Sequence, residues 1–178
     1  MRSQRGITLA ELLIVIVILA LLAGIGVPAM RDLVLNNRQV GMLNELVSAI
    51  QLARSEAITR NVNIPSTMSV CASDSGTGCG GTWADGWVVF VDVDGAGDFD
   101  AGVDTVVRAF EGGKNLTVSA TGIGNAVRYR RDGRATDAGD FVVCDPRGSA
   151  QARVVQLGIS GRPSVSKYLS DGSSPSCD

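Results

Sequence analysis

The sequence predicts an α+β fold: a long N-terminal α-helix, its first half transmembrane, packed on a C-terminal domain of antiparallel strands. Three observations carry that prediction. Between Leu12 and Val27 there is no charged residue. From Leu43 to Ile58, apolar residues return every three or four positions, the period of an amphipathic helix. From Met68 that period gives way to short β-branched runs separated by Gly, Asp, Asn and Ser clusters, the pattern of strands and turns. A helix followed by consecutive strands, rather than alternating with them, belongs to the α+β class.

Taken in order, residues 1–6 are a short basic leader carrying Arg2 and Arg5. Residues 7–30 are the transmembrane and assembly helix. At ~1.5 Å per residue this stretch spans roughly 36 Å, enough for a hydrocarbon core of about 30 Å. Arg2 and Arg5 mark the cytoplasmic side, so the body of the protein is expected outside. A cleavable secretory signal has its small-residue site after the apolar run. Here Gly6 precedes the run, so a cut after Gly6 leaves the hydrophobic helix on a mature chain that starts at Ile7. Glu11 is the one acid in the segment. Near mid-bilayer a carboxylate costs about 2.5–3.5 kcal/mol, and less close to the interface. Glu11 shares a helix face with Ile7. In a bundle of such helices, the Ile7 amine of one chain and the Glu11 carboxylate of its neighbour would each need the other, which sets axial register. The simpler alternative is a signal anchor whose acid sits at the interface.

The stretch R-G-I-T-L-A-E-L-L-I-V-I-V-I-L-A resembles the class III signal of type IV pilins and type II secretion pseudopilins. That resemblance implies a prepilin peptidase that cuts after Gly6 and methylates the new amine of Ile7, with Glu11 as the acid used in assembly. Phenylalanine is commoner than isoleucine at the mature start of that family.

Residues 31–60 continue the helix as an amphipathic segment. Gly24, Gly26 and Pro28 weaken it first, and a kink or a locally melted stretch is expected there. Helix then resumes from about Met30 to Arg60. Leu43, Leu46, Val47, Ile50, Ala53 and Ala57 form a stripe that needs a surface to pack on, and the chain's own sheet is the expected one. Glu56 precedes Arg60 by four residues, the favourable order for an ion pair. Arg54 falls within the stripe and must snorkel outward or find a partner. Asn61 to Pro65 ends the helix.

Residues 61–178 form the β-rich globular domain. MSVCA, WVVFVD, TVVRAF, NLTVSA, AVRYRR, DFVVC, RVVQLG and PSVSKYL are the expected strands. The order L-A-R-S-E-A-I-T-R-N-V, V-C, W-A-D-G-W-V-V-F-V-D and a late G-R resembles the GspH/FimU/FimT branch of minor pilins and pseudopilins. The resemblance implies a sandwich-like domain packed against the outer half of the helix.

The chain has 16 basic and 18 acidic residues, and loss of Arg2 and Arg5 with the leader would leave 14 against 18. With 22 glycines and 4% aromatics, a loop-rich domain with a modest core is expected. There is no histidine, so the commonest general base and metal ligand is missing. Without it no Ser–His or Cys–His pair exists, and no phosphate-loop motif is present. An enzyme is not expected, nor is a cofactor. Trp83 and Trp87 read as core residues. Cys71, Cys79, Cys144 and Cys177 all follow the membrane segment, in a compartment that permits disulfides. Four cysteines allow three pairings, and sequence does not choose among them. Cys71–Cys79, closing a Gly/Ser loop, and Cys144–Cys177, pinning the tail, are favoured. Zinc is the rival, but no C-x₂-C pair is present.

Two clusters bear on binding. Asp92, Asp94, Asp98, Asp100 and Asp104 crowd a Gly-containing loop, the composition a calcium ion would require. Aligned as an EF-hand from Asp92, the loop has Ala96 and Val103 at ligand positions, so a solvated hairpin loop is preferred and no metal site is assigned. No Lys or Arg lies between Arg60 and Arg108, whereas ten basic residues follow Val107. Arg128 and Arg130 alternate on one expected strand face, Arg131 and Arg134 flank the next turn, and Arg162 and Lys167 come later; such a group could contact phosphates. Members of the FimT type bind DNA through a C-terminal G-R-x-R. Here Gly161-Arg162-Pro163-Ser164 lacks the second arginine, so DNA is not favoured.

The combined resemblance implies a minor type IV pilin precursor that primes or caps pilus assembly. Its partners would be other pilins or pseudopilins along the N-terminal helix, prepilin peptidase and the inner membrane, with the C-terminal domain periplasmic and later on the cell surface. A type II secretion pseudopilin is the first alternative and a DNA-binding minor pilin the second.

Overall fold

Helix α1 runs Leu9–Arg60 in the computed structural model, which describes residues 8–60, 65–124 and 126–177. It passes through Gly24, Gly26 and Pro28 without interruption, so the melted stretch expected there does not form. A side chain at Gly24 or Gly26 would meet nothing within 4 Å apart from the helix's own neighbouring backbone.

The chain divides into two compact units, Met1–Asn37 and Arg38–Asp178. In the first, the large apolar side chains from Leu9 to Leu33 are half or more exposed. The segment is long and apolar enough to cross a membrane. In the second, α1 buries Met42, Leu43, Leu46, Ala49, Ile50, Ala53 and Ala57.

Eight strands follow: β1 (Thr67–Ala72), β2 (Gly86–Asp92), β3 (Thr105–Glu111), β4 (Thr117–Thr121), β5 (Ala126–Tyr129), β6 (Gly139–Cys144), β7 (Arg153–Leu157) and β8 (Pro163–Ser166). They build two antiparallel sheets, ordered β3-β2-β1-β5 and β4-β6-β7-β8. Each strand falls on one of the expected runs. The first sheet contributes Met68, Val70, Trp87, Val89, Val127 and Tyr129 to the core, and the second Phe141, Val143, Val155 and Leu157; with the helix stripe these make one hydrophobic cluster. Trp83 reaches the second sheet edge-on, its ring 4.8 Å from that of Phe141.

The outer faces are apolar as well, and each has its own cover. Phe99 packs on Cys71, Val88, Phe90 and Ala126, while Leu169 and Cys177 pack on Val142, Cys144, Ala152 and Val154. A sheet covered on both faces reads as a continuous apolar run, which is why W-V-V-F-V does not alternate. Disulfides anchor one segment on each outer face. Cys71–Cys79 holds the loop after β1 (Cα–Cα 5.6 Å) and Cys144–Cys177 holds the C-terminal tail (Cα–Cα 5.8 Å). A crosslink of this kind contributes about 2–4 kcal/mol.

One buried polar group fixes the helix on the second sheet. Gln39, 2% exposed, donates through Nε2 to the carbonyls of Val143 (3.0 Å) and Gln151 (2.9 Å).

Candidate functional site

Gly6 and Ile7 lie outside the described residues, so the cleavage site has no structural account. The helix start just beyond them does. Thr8 stands before α1 and Glu11 in its first turn. Glu11 Oε2 accepts from the Thr8 N–H and the Thr8 hydroxyl, both at 3.0 Å, and the Glu11 N–H donates to Thr8 Oγ1 at 3.3 Å. This is a capping box: two otherwise unpaired donors at a helix N-terminus are satisfied reciprocally. The carboxylate also sits at the positive end of the helix dipole. The sequence carries the signal for it as T-L-A-E, the capping-box spacing, which pairing Glu11 with the Ile7 amine does not use. Glu11 therefore has a function within its own chain, separate from any partner.

The predicted cationic residues are sorted differently by the fold. β5 ends at Tyr129, so Arg130 belongs to the following hairpin and does not share a strand face with Arg128. Arg128 is engaged: its guanidinium donates to Asp137 through Nε (3.3 Å) and Nη2 (3.4 Å), and to the Gly95 carbonyl (3.3 Å). Arg130, Arg131 and Arg134 occupy the hairpin, closed by Arg130 N–H to the Arg134 carbonyl (3.1 Å). The hairpin lies on the turn that carries Arg162. Ala135 N–H donates to the Ile159 carbonyl (3.2 Å), the Tyr129 hydroxyl to the Gly161 carbonyl (3.1 Å), and a Cβ at Gly161 would strike the Gly133 carbonyl. Arg54 completes the corner by donating to the Gly133 carbonyl at 2.9 Å, which answers how an arginine is accommodated in the buried stripe. Burial pushes the Tyr129 phenol well above its ordinary pKa, against the opposing charge of Arg54. The fold thus gathers Arg130, Arg131, Arg134 and Arg162, all exposed, around the last turns of α1. Lys167 is exposed just past β8.

The aspartates are builders of their own loop. Asp92, fully buried, accepts from Gly95 N–H (2.7 Å), Gly97 N–H (2.9 Å), the Ser69 hydroxyl (2.9 Å) and the Thr67 hydroxyl (3.1 Å). Asp104 accepts from Val93 and Asp100 N–H, and Asp94 from Ala96 N–H. Carboxylates bound this way hold glycine turns in place. Among the described residues no group of three or more acidic, cysteine or histidine side chains is arranged to hold a metal.

The family model for the type II transport protein GspH matches residues 43–161, and that for the prokaryotic N-terminal methylation motif matches residues 1–27. The type IV minor pilin FimU of Pseudomonas aeruginosa (strain PAO1) has a similar fold in two crystal forms. In space group P21 the TM-score is 0.59, covering 80% of this chain and 97% of that one; in P65 it is 0.56, covering 78% and 98%. Identity is 20% in both, so the likeness is one of fold. No curated protein sequence matches the chain.

Proposed function

We propose, from the premise that this chain belongs to the type II transport protein GspH family, that it is a minor type IV pilin that primes or caps a pilus. Residues 1–6 would be removed by prepilin peptidase after Gly6, and the amine of Ile7 methylated. Residues 7–30 would hold the chain in the inner membrane with residues 61–178 in the periplasm. The same helix would then bind other pilins in the filament, residues 31–60 continuing it into the globular domain. The observation that carries this reading is the first unit itself. From Leu9 to Met30 it is an exposed apolar helix whose one acid is Glu11, and that acid lies in the first turn. A filament built from such helices gains its cohesion by burying those side chains, while Glu11 remains to be matched by a neighbouring amine.

Processing tests it. Gly6→Val crowds the cleavage site with a β-branched side chain, so the leader should stay attached and methylation should fail. Intact-mass measurement of membrane-extracted protein reads both, and a normal mature mass in the variant would contradict the assignment.

Two other readings have specific support. The matched family's description favours a type II secretion pseudopilin, and the composition of the complex that co-purifies with the chain separates it from a pilus subunit. The corner formed by Arg130, Arg131, Arg134 and Arg162 favours contact with a polyanion such as DNA.

A further inference from the structure

The two disulfides differ in access. Cys71 lies in β1 and is 1% exposed, but its partner Cys79 stands on the exposed loop that follows. Both cysteines line an open cavity of about 370 Å³, together with Gly80, Gly81, Trp83 and Asp98. In the other pair Cys144 is 3% exposed and Cys177 half-buried, both within the apolar cluster that Leu169 joins.

The loop that Cys79 closes is rich in glycine, with Gly76, Gly78, Gly80 and Gly81 in residues 73–81. Its hydrogen bonds are local: Gly76 N–H donates to Ser73 Oγ (3.0 Å), the Ser73 hydroxyl to the Gly78 carbonyl, and Gly80 N–H to the Ala72 carbonyl (2.8 Å). A Cβ at Gly78 would stand 2.9 Å from the Phe99 ring, so the loop lies on that ring. Phe99 in turn meets Phe90 edge-on at 5.4 Å and packs with Cys71, Val88 and Ala126. Glycine gives up more conformational freedom on ordering than any other residue, so the loop's place on Phe99 depends on the crosslink that closes it.

We propose that Cys71–Cys79 is a thiol–disulfide exchange site, opened by a dithiol that attacks Cys79, and that its reduction unlatches residues 73–81 from Phe99. The reductant's thiolate bonds to Cys79 Sγ, and the electron pair of the S–S bond leaves on Cys71, which takes up a proton. The reductant's second thiol, deprotonated, then attacks its own sulfur in the mixed disulfide and releases Cys79, which is protonated in turn. Two electrons and two protons pass to the protein, and the reductant departs as a disulfide. A monothiol would stall at the mixed disulfide, where the Cys71 thiolate beneath can reverse the step; a second thiol carries the exchange forward. The unlatched loop leaves the Phe99 ring open to solvent, so the chain gains an apolar surface on reduction. The site involves neither α1 nor the N-terminus, so it is independent of the assembly reading above.

The experiment is a time course of dithiothreitol on full-length protein in detergent, quenched in acid. Thiols are then alkylated in denaturant and located by peptide mass spectrometry. Cys71 and Cys79 should become labelled together, about tenfold or more faster than Cys144 and Cys177. Hydrogen exchange on the selectively reduced protein should show faster exchange across residues 73–81 with β6 and β7 still protected. Equal reduction rates for the two pairs, or earlier reduction of Cys144–Cys177, would overturn the exchange site. Unchanged exchange in residues 73–81 after reduction, or loss of protection throughout the domain, would overturn the latch.

Discussion

Replacing Gln39 with methionine removes two hydrogen bonds at once while nearly preserving side-chain volume. Gln39 Nε2 is the donor to the Val143 and Gln151 carbonyls, at 3.0 and 2.9 Å, and the site is 2% exposed. The Gln151 carbonyl keeps Arg153 Nη1 as a donor (3.2 Å), so the buried Val143 carbonyl is the acceptor that loses the partner Gln39 gave it. A buried acceptor without a partner costs about 1–3 kcal/mol, partly offset because the buried amide itself is gone. A net loss of roughly 1–2 kcal/mol follows, which for a domain of this size lowers the unfolding midpoint by roughly 3–6 °C. Trp83 and Trp87 are both buried in the core that the helix and sheets share, so their fluorescence reports the transition in full-length, detergent-solubilised protein. An unchanged midpoint would mean that these carbonyls are satisfied without Gln39 and that the helix is seated by apolar packing alone.

Tyr129→Phe should cost about 1 kcal/mol at neutral pH, through loss of the bond to the Gly161 carbonyl. The same change should flatten the alkaline limb of the stability profile. Because burial raises the folded-state phenol pKa, its stabilising contribution is complete below the unfolded value of about 10 and is lost as pH rises through the folded one. Unfolding midpoints measured across pH 8–11 check this, and equal alkaline losses in both proteins would refute it. The polyanion reading of the arginine corner predicts a gel shift with duplex DNA whose log–log salt slope is about −0.9 per phosphate contacted. Simultaneous Arg130→Ala, Arg131→Ala and Arg134→Ala should reduce that slope by roughly 2–3. Binding by the triple variant equal to wild type would remove the reading.

All eight strands were legible because each is a β-branched run bounded by turn residues, and the helix stripe was legible from its period. Which strand joins which sheet was not. Consecutive β4 and β5 part company, β4 to the second sheet and β5 back beside β1 in the first. Runs such as W-V-V-F-V are buried on both faces, so they carry no alternation to assign a side. Arg128 looked like Arg130 in sequence, yet Asp137 and the Gly95 carbonyl claim the first while the hairpin leaves the second exposed. Gln39 gave no sign of its role, because one amide in a helix acquires partners only when residues 143 and 151 fold onto it. Gly24, Gly26 and Pro28 predict a kink or a locally melted stretch, and of the two the melted stretch does not form.

Glu11 is where the account is most exposed, and the capping box supplies the way to test it. Glutamine at this position keeps the box with Thr8, because its side-chain oxygen can accept the same bonds, but it carries no charge. If the acid serves only as a cap, Glu11→Gln protein should be inserted, processed and assembled like wild type. If it matches the amine of a neighbouring chain in the filament, assembly loses one side of a buried pair, about 3–5 kcal/mol, while insertion and processing are untouched. The measurement is the amount of processed protein in membranes against the amount in sheared filaments or cross-linked complexes, for wild type and Glu11→Gln side by side. The account predicts equal membrane pools and a sharply depleted filament pool for the variant. Equal filament pools would show that the charge does not set register, and the assembly mechanism proposed for this chain would be wrong.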